Sequence, residues 1–178
     1  LKYNRRKDGS KGSKDDFYKN PQAYQSDFLK YTPHTDLYIA AHFYGDGAPV
    51  FFNLTDIKKN DFKISVIADI SCDIQIPIPT TLRASTIADP IYGVDRNTGT
   101  ETDYHHPDAV AVMAVDNLPC ELPRDASISF SKQFTEHIIP SFFNGDAEGI
   151  LHRARMTRAG RLTDRYAYLS DFVQASGF

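Results

Sequence analysis

Three short apolar runs limit what this chain can become: residues 37–41, 64–68 and 109–115. Each is too short for an independent helix and is bounded by polar or turn-forming residues. Such runs read as buried strands of the kind parallel sheets use. Each run also ends in a cluster that carries chemistry: His42-Phe43-Tyr44, Asp69-Ile70-Ser71-Cys72-Asp73 and Asp116-Asn117-Leu118-Pro119. In open α/β sheets the carboxyl ends of the strands are where ligands bind.

Between the first two runs, Asp46-Gly47-Ala48-Pro49 reads as a turn, and Thr55 is placed to cap a short helix over residues 56–60. The rhythm strand, helix, strand is that of half a doubly wound sheet. Pro77, Pro79 and Pro90 exclude a long helix or an inner strand until residues 91–94, and residues 95–99 read as a turn. Residues 1–16, with Gly9, Gly12 and Ser13 among Lys7, Lys11 and Lys14, read as a linker or disordered edge. Pro21 suits the first turn of a short helix. After Pro123 the period changes: Ile128, Phe130, Phe134, Ile138 and Ile139 trace a helix that ends near Pro140, and residues 146–155 and 163–174 read as two more. The predicted class is therefore α/β, a partial doubly wound parallel sheet over residues 17–121 followed by a helical segment over 122–178.

A chain of 178 residues, 41% of them hydrophobic, can bury one substantial core. No apolar run approaches the ~20 residues of a spanning helix, and no apolar segment follows the basic N-terminal residues as in a signal peptide, so a cytoplasmic protein is expected. A net charge of −3 gives no general attraction for nucleic acid. Arg5, Arg6, Lys7, Lys11 and Lys14 lack the interleaved aromatics that stack bases. Cys72 and Cys120 form no C-x-x-C pattern, and His105-His106 project to opposite sides of an extended chain, so no metal site is expected.

The clusters at 69–73 and 116–119, the second continuing into Leu122-Pro123-Arg124-Asp125-Ala126-Ser127, resemble paired signatures of the lysine-forming saccharopine dehydrogenases and their relatives, the alanine dehydrogenases and the transhydrogenase nucleotide-binding half. They stand in the family order. The resemblance implies a Rossmann-like domain, NAD as cofactor, an amino acid (saccharopine or alanine) as substrate, and a helix after Pro123 that returns to a second lobe. It also implies roles. Asp73 matches an aspartate beside the nicotinamide, where a carboxylate steadies positive charge during hydride transfer. Asn117 and Leu118 occupy the position that contacts the nicotinamide ring, with Asp116 beside them. Asp69 either binds a nucleotide hydroxyl or caps its turn. Arg124 suits a substrate carboxylate or an ion pair, and His42 reaches the same edge or is structural.

One departure is large. No G-x-G-x-x-G turn for the cofactor diphosphate exists in these residues, and the family's acid-base lysine and histidine lie upstream. The chain is therefore expected to be the C-terminal part of a longer enzyme, inactive alone, whose partners are the missing N-terminal part and, through an exposed sheet edge, a second copy of itself. The rivals are an alanine-dehydrogenase-like enzyme, a non-catalytic interaction domain that kept the fold, and a hydrolase using Asp69 and Asp73 as an acid-base pair. Ile74-Gln75-Ile76-Pro77, where the alanine branch carries a glycine pair, argues against alanine.

Overall fold

The computed structural model describes residues 2–45 and 47–175. Asp46, expected in a turn, lies outside the described residues, as do Leu1 and residues 176–178 at the ends of the segments named above. The chain divides into two compact units, Leu1–Glu121 and Leu122–Phe178.

The first unit is built on a five-stranded sheet. Its strands are β3 (Leu37–Ala40), β4 (Val66–Asp69), β5 (Ile91–Asp95), β6 (Glu101–Thr102) and β7 (Ala109–Met113), in the order β3-β4-β7-β5-β6. The three apolar runs supply β3, β4 and β7, which pair in parallel, Leu37 opposite Val66 and Val66 opposite Ala111. The α/β class is as expected, but the sheet is mixed: β5 runs antiparallel to both β6 and β7. A parallel neighbour needs a crossover of a dozen or more residues. Here the Asp95 carboxylate accepts from the amides of Asn97 at 2.7 Å and Thr98 at 2.9 Å, and Gly99 takes a φ of +75°, so the chain reverses at once. Gly93 in β5 lies so close to the next strand's continuation that a Cβ would sit 2.7 Å from the Asp103 carbonyl oxygen.

The helix expected over residues 56–60 does not form. Asn53 folds its side chain onto the following amides, of Thr55 at 2.9 Å and Asp56 at 3.1 Å, while the Asp56 carboxylate accepts from the Asn53 amide at 2.9 Å. Such local bonds compete with the helical ladder. The loop's carbonyls find a distant donor instead: the half-buried Arg96 guanidinium donates to Ile57, Phe62 and Ile64 at 3.2, 3.1 and 2.5 Å. This loop and the preceding segment bring Phe28, Phe51, Phe52, Ile57, Phe62 and Ile64 onto one face of the sheet, against Ile67, Tyr92, Val94, Val110 and Val112. Phe28 and Phe51 stack with centroids 5.0 Å apart. The opposite face leaves Leu37, Ile39, Val66 and Ile91 exposed. Burial alternates along β3 and β4, correcting the expectation of strands covered on both sides.

Residues 2–16 carry regular elements where a linker was expected. Strand β1 (Asn4–Arg6) pairs antiparallel with β2 (Tyr24–Ser26), and Ser13 caps helix α1 (Lys14–Lys19) by accepting from the Asp16 amide at 3.1 Å. Arg6 forms ion pairs with Asp8 and Asp16. Within the basic run Arg6 is thus met by a near neighbour, Asp8, and by Asp16 ten residues on, and Arg5 by Asp27. A 3₁₀ turn over Pro21–Ala23 stands where the proline predicted a helical start.

In the second unit, α2 (Pro123–Gln133) continues through a π turn, Phe134–Ile138, into a 3₁₀ turn, Ile139–Phe142. The helix expected over 146–155 shrinks to α3 (Ile150–Ala154), because Asp146 and Gly149 take φ values of 57° and 67°. The Asp146 carboxylate instead accepts from the amides of Leu151 at 2.9 Å and His152 at 2.8 Å. A small hairpin, β8 (Thr157–Arg158) and β9 (Arg161–Leu162), follows, then a 3₁₀ segment, Asp164–Leu169, and α4 (Ser170–Ala175). No helix among the described residues is long and apolar enough to cross a membrane.

Candidate functional site

Because β4 and β7 are adjacent and parallel, the two sequence clusters emerge at one edge of the sheet. Ser85 ties that edge together: its amide donates to the Ala114 carbonyl at 2.8 Å, and its hydroxyl accepts from the Ala114 amide at 3.0 Å. Cys72, at a φ of 56°, donates its thiol to the same Ala114 carbonyl. Burial pushes the Cys72 thiol pKa up, and the charges of Asp69, Asp116 and Asp73 push it further. One sulfur thus feels carboxylates from both clusters.

The carboxylates differ in what the fold leaves them. Asp69 is fully buried. One of its oxygens accepts from the Ser71 amide at 3.0 Å and the Ser71 hydroxyl at 2.7 Å, and the other from the Thr81 hydroxyl at 2.6 Å. Of the two readings offered for it, the turn cap is the one the structure shows. Both of its oxygens are thus engaged by internal donors, unlike those of Asp73. Asp73, Asp116 and Asn117 are exposed, and their side chains make no hydrogen bond or ion pair among the described residues. Leu118 is half-buried at the start of the 3₁₀ turn Leu118–Glu121, where the Asn117 carbonyl accepts from the Cys120 amide at 3.0 Å.

His42 follows β3, the third strand of the parallel set. It is half-buried and stacked on Phe51, with centroids 4.6 Å apart at 16°. Burial lowers its pKa, while the Asp69 charge works in the opposite direction. It lines a cleft of about 470 Å³ with Tyr3, Phe28, Tyr31, Tyr38 and Phe51. The Tyr38 hydroxyl is buried without a partner among the described residues, and burial together with the Asp69 charge raises its pKa. Asp69 therefore biases His42, Tyr38 and Cys72 at once. Thr81, Ser85 and Tyr38 escape sequence reasoning because nothing in their local pattern distinguishes them; only the strand register brings them to the edge.

Arg124 belongs to the second unit, exposed in the first turn of α2 with no ion pair among the described residues. No group of three or more metal-ligating side chains occurs among the described residues; His105 and His106 are both exposed.

Comparison with known proteins gives a consistent set of relatives. An alpha-aminoadipic semialdehyde synthase of Arabidopsis thaliana is 30% identical over 171 residues, which is 92% of this chain and 16% of that protein. A saccharopine dehydrogenase [NAD(+), L-lysine-forming] of Yarrowia lipolytica is 31% identical over 109 residues, 60% of this chain and 26% of that one. Its counterpart from Emericella nidulans is 26% identical over 117 residues, 64% of this chain and 29% of that protein. No family model matches the chain. The chain thus spans between 16% and 29% of the length of these relatives, and it is related to the saccharopine dehydrogenases over part of its own length.

Proposed function

We propose that this chain forms the nicotinamide side of the cofactor site in an NAD-dependent dehydrogenase that acts on an amino-acid amine, of the lysine-forming saccharopine type. One observation carries the reading: Asp73, Asp116 and Asn117 are exposed and unspent by the fold at the ends of two neighbouring parallel strands, where α/β sheets bind ligands. Two of the relatives named above, those of Yarrowia lipolytica and Emericella nidulans, carry NAD(+) and L-lysine in their names.

The donor set suits the cofactor. NAD, when bound, supplies the hydride acceptor. The Asn117 amide is suited to hydrogen-bond a carboxamide, the Leu118 side chain to lie against a flat ring, and the half-buried His42, which burial holds toward its neutral form, to hydrogen-bond a ribose or water. Asp73 contributes a carboxylate that stabilises positive charge on the substrate nitrogen as the C–H bond breaks, and Asp116 adds to the same negative field. Arg124, in the second unit, has the planar guanidinium that the resemblance matches to a substrate carboxylate. Asp69 does not touch ligand; it holds the turn from which Asp73 projects. The diphosphate falls to residues outside this chain, since no glycine-rich turn is present.

The test is turnover by the full-length protein with NAD and saccharopine, following NADH and released lysine, with alanine as a parallel arm. NADH formation dependent on saccharopine is expected, and none from this 178-residue chain alone. Full-length protein that forms NADH from alanine only, or from neither substrate, would sink the assignment.

A further inference from the structure

The second unit holds a concentration of positive charge that the proposed function does not use. Arg153, Arg155, Arg158, Arg161 and Arg165 fall within thirteen residues against one carboxylate, Asp164, in a chain whose net charge is −3. Three of them, Arg153, Arg158 and Arg165, line a cleft of about 600 Å³ together with His152, Thr163 and Asp164.

Of the other five arginines, four have partners in the fold, Arg124 being the exception. Arg6 pairs with Asp8 and Asp16, Arg83 binds Glu101 through two nitrogens at 2.9–3.2 Å, and the half-buried Arg96 spends its donors on three carbonyls. None of the five arginines here has a carboxylate partner among the described residues. Arg153 donates one bond to the Glu148 carbonyl at 2.6 Å, which leaves most of its five N–H donors to spare.

The hairpin makes the point independently. Its tip, Ala159 and Gly160, takes φ values of 50° and 76°, and its register sets Arg158 directly opposite Arg161. Like charges in that position destabilise a strand pair, so folding alone gives no reason for them. The walls of the cleft are nonetheless fixed. The Thr163 hydroxyl donates to the Arg155 carbonyl at 2.7 Å, and the Tyr166 hydroxyl to the Arg153 carbonyl at 3.2 Å, binding the hairpin's exit to the end of α3. Several guanidiniums lining one cleft, on a braced backbone, suit recognition of carboxylate or phosphate through paired hydrogen bonds.

We propose that this cleft is an anion-binding site, in which Arg153, Arg158 and Arg165 hold a small molecule bearing a phosphate or carboxylate group. Neighbouring guanidiniums gain from an oxyanion that accepts from more than one of them, and Thr163 and His152 add polar groups to the lining. A small ligand is favoured over an extended polyanion because three of the five arginines line a single cleft of about 600 Å³.

The experiment uses the 178-residue chain with inorganic phosphate and, separately, glutarate, each against sodium chloride at matched ionic strength. Calorimetry and thermal melting should show saturable binding of at least one. Phosphate binding alone identifies a phosphorylated ligand and glutarate binding alone a dicarboxylate; either supports the site. Arg158→Gln and Arg165→Gln should each weaken binding by about tenfold, the scale of one lost charge-assisted hydrogen bond. Arg161→Gln, outside the cleft lining, should leave the affinity unchanged and raise the melting temperature. Absence of saturable binding by both anions, wild-type affinity in both cleft variants, or equal weakening by Arg161→Gln would overturn the proposal. So would binding of an oligonucleotide or anionic vesicle with neither small anion bound. No readout involves NAD or turnover, so failure here leaves the dehydrogenase reading standing.

Discussion

The turns that follow β4 and β7 sit side by side and carry similar residues, yet the fold treats them in opposite ways. The β4 turn is consumed by structure: Asp69 is buried, accepts three hydrogen bonds from Ser71 and Thr81, and biases three titratable neighbours. The β7 turn keeps its backbone bonded through Ser85 but leaves Asp116 and Asn117 to solvent. An aspartate at a strand's end is thus a brace when its oxygens are spent internally and a ligand group when they are not. Asp73 crosses the divide, projecting from the braced turn with its own carboxylate unspent.

The largest effect that can break this contrast is the loss of Asp69. Asp69→Ala leaves the buried Thr81 hydroxyl and the half-buried Ser71 hydroxyl without an acceptor and should cost about 3 kcal/mol of stability, whereas Asp116→Ala should cost less than about 0.5 kcal/mol. Urea unfolding of both variants decides it, and equal costs would erase the distinction. Next is Asp73→Ala in the full-length protein, expected to lower turnover about 100-fold with little change in melting temperature. Near-normal turnover with a lowered melting point would make Asp73 a cap like Asp69. Thr81→Val, which removes one donor and keeps the shape, should cost about 1–2 kcal/mol, and a neutral result would show that Asp69 is held by Ser71 alone.

Two pH measurements sharpen the picture further. Burial and the three carboxylates raise the Cys72 thiol pKa above its ordinary 9.0, so its alkylation by iodoacetamide should accelerate only at higher pH than that of a free thiol. Asp116→Asn should move the midpoint down; an unmoved midpoint would separate the two turns electrostatically. The smallest effect concerns His42. Its folded pKa lies below the ordinary 6.5, so the unfolded chain takes up the proton first, and the stability from a neutral His42 is present above 6.5 and lost as pH falls through the folded value. His42→Phe should flatten that part of the stability curve, as measured by unfolding across pH 5–7.5; an unchanged slope would return His42 to a passive packing role.

Legibility followed the range of the interactions. The apolar runs of β3, β4 and β7, the turn at residues 95–99 and the helix after Pro123 depend on near neighbours, and sequence reading locates them. The loop that replaces the helix after Thr55 combines local Asn53 and Asp56 bonds with a distant donor, Arg96, some 39 residues from the carbonyl of Ile57 that it binds. The ordered N-terminus likewise depends on β1 meeting β2 and on Asp16 meeting Arg6. The direction of β5 was equally hidden, since a strand of five residues reads alike in either sense.

The site divides along the same line. By itself the sequence determined that polar clusters stand at strand ends, that no glycine-rich turn accompanies them, and that the clusters resemble those of the saccharopine dehydrogenases, because these are properties of residue order and local period. Only the tertiary structure decided which aspartate is spent and which is free. That outcome rests on Thr81, twelve residues away, reaching Asp69 while no side chain reaches Asp73 among the described residues, and such contacts are set by strand register and packing.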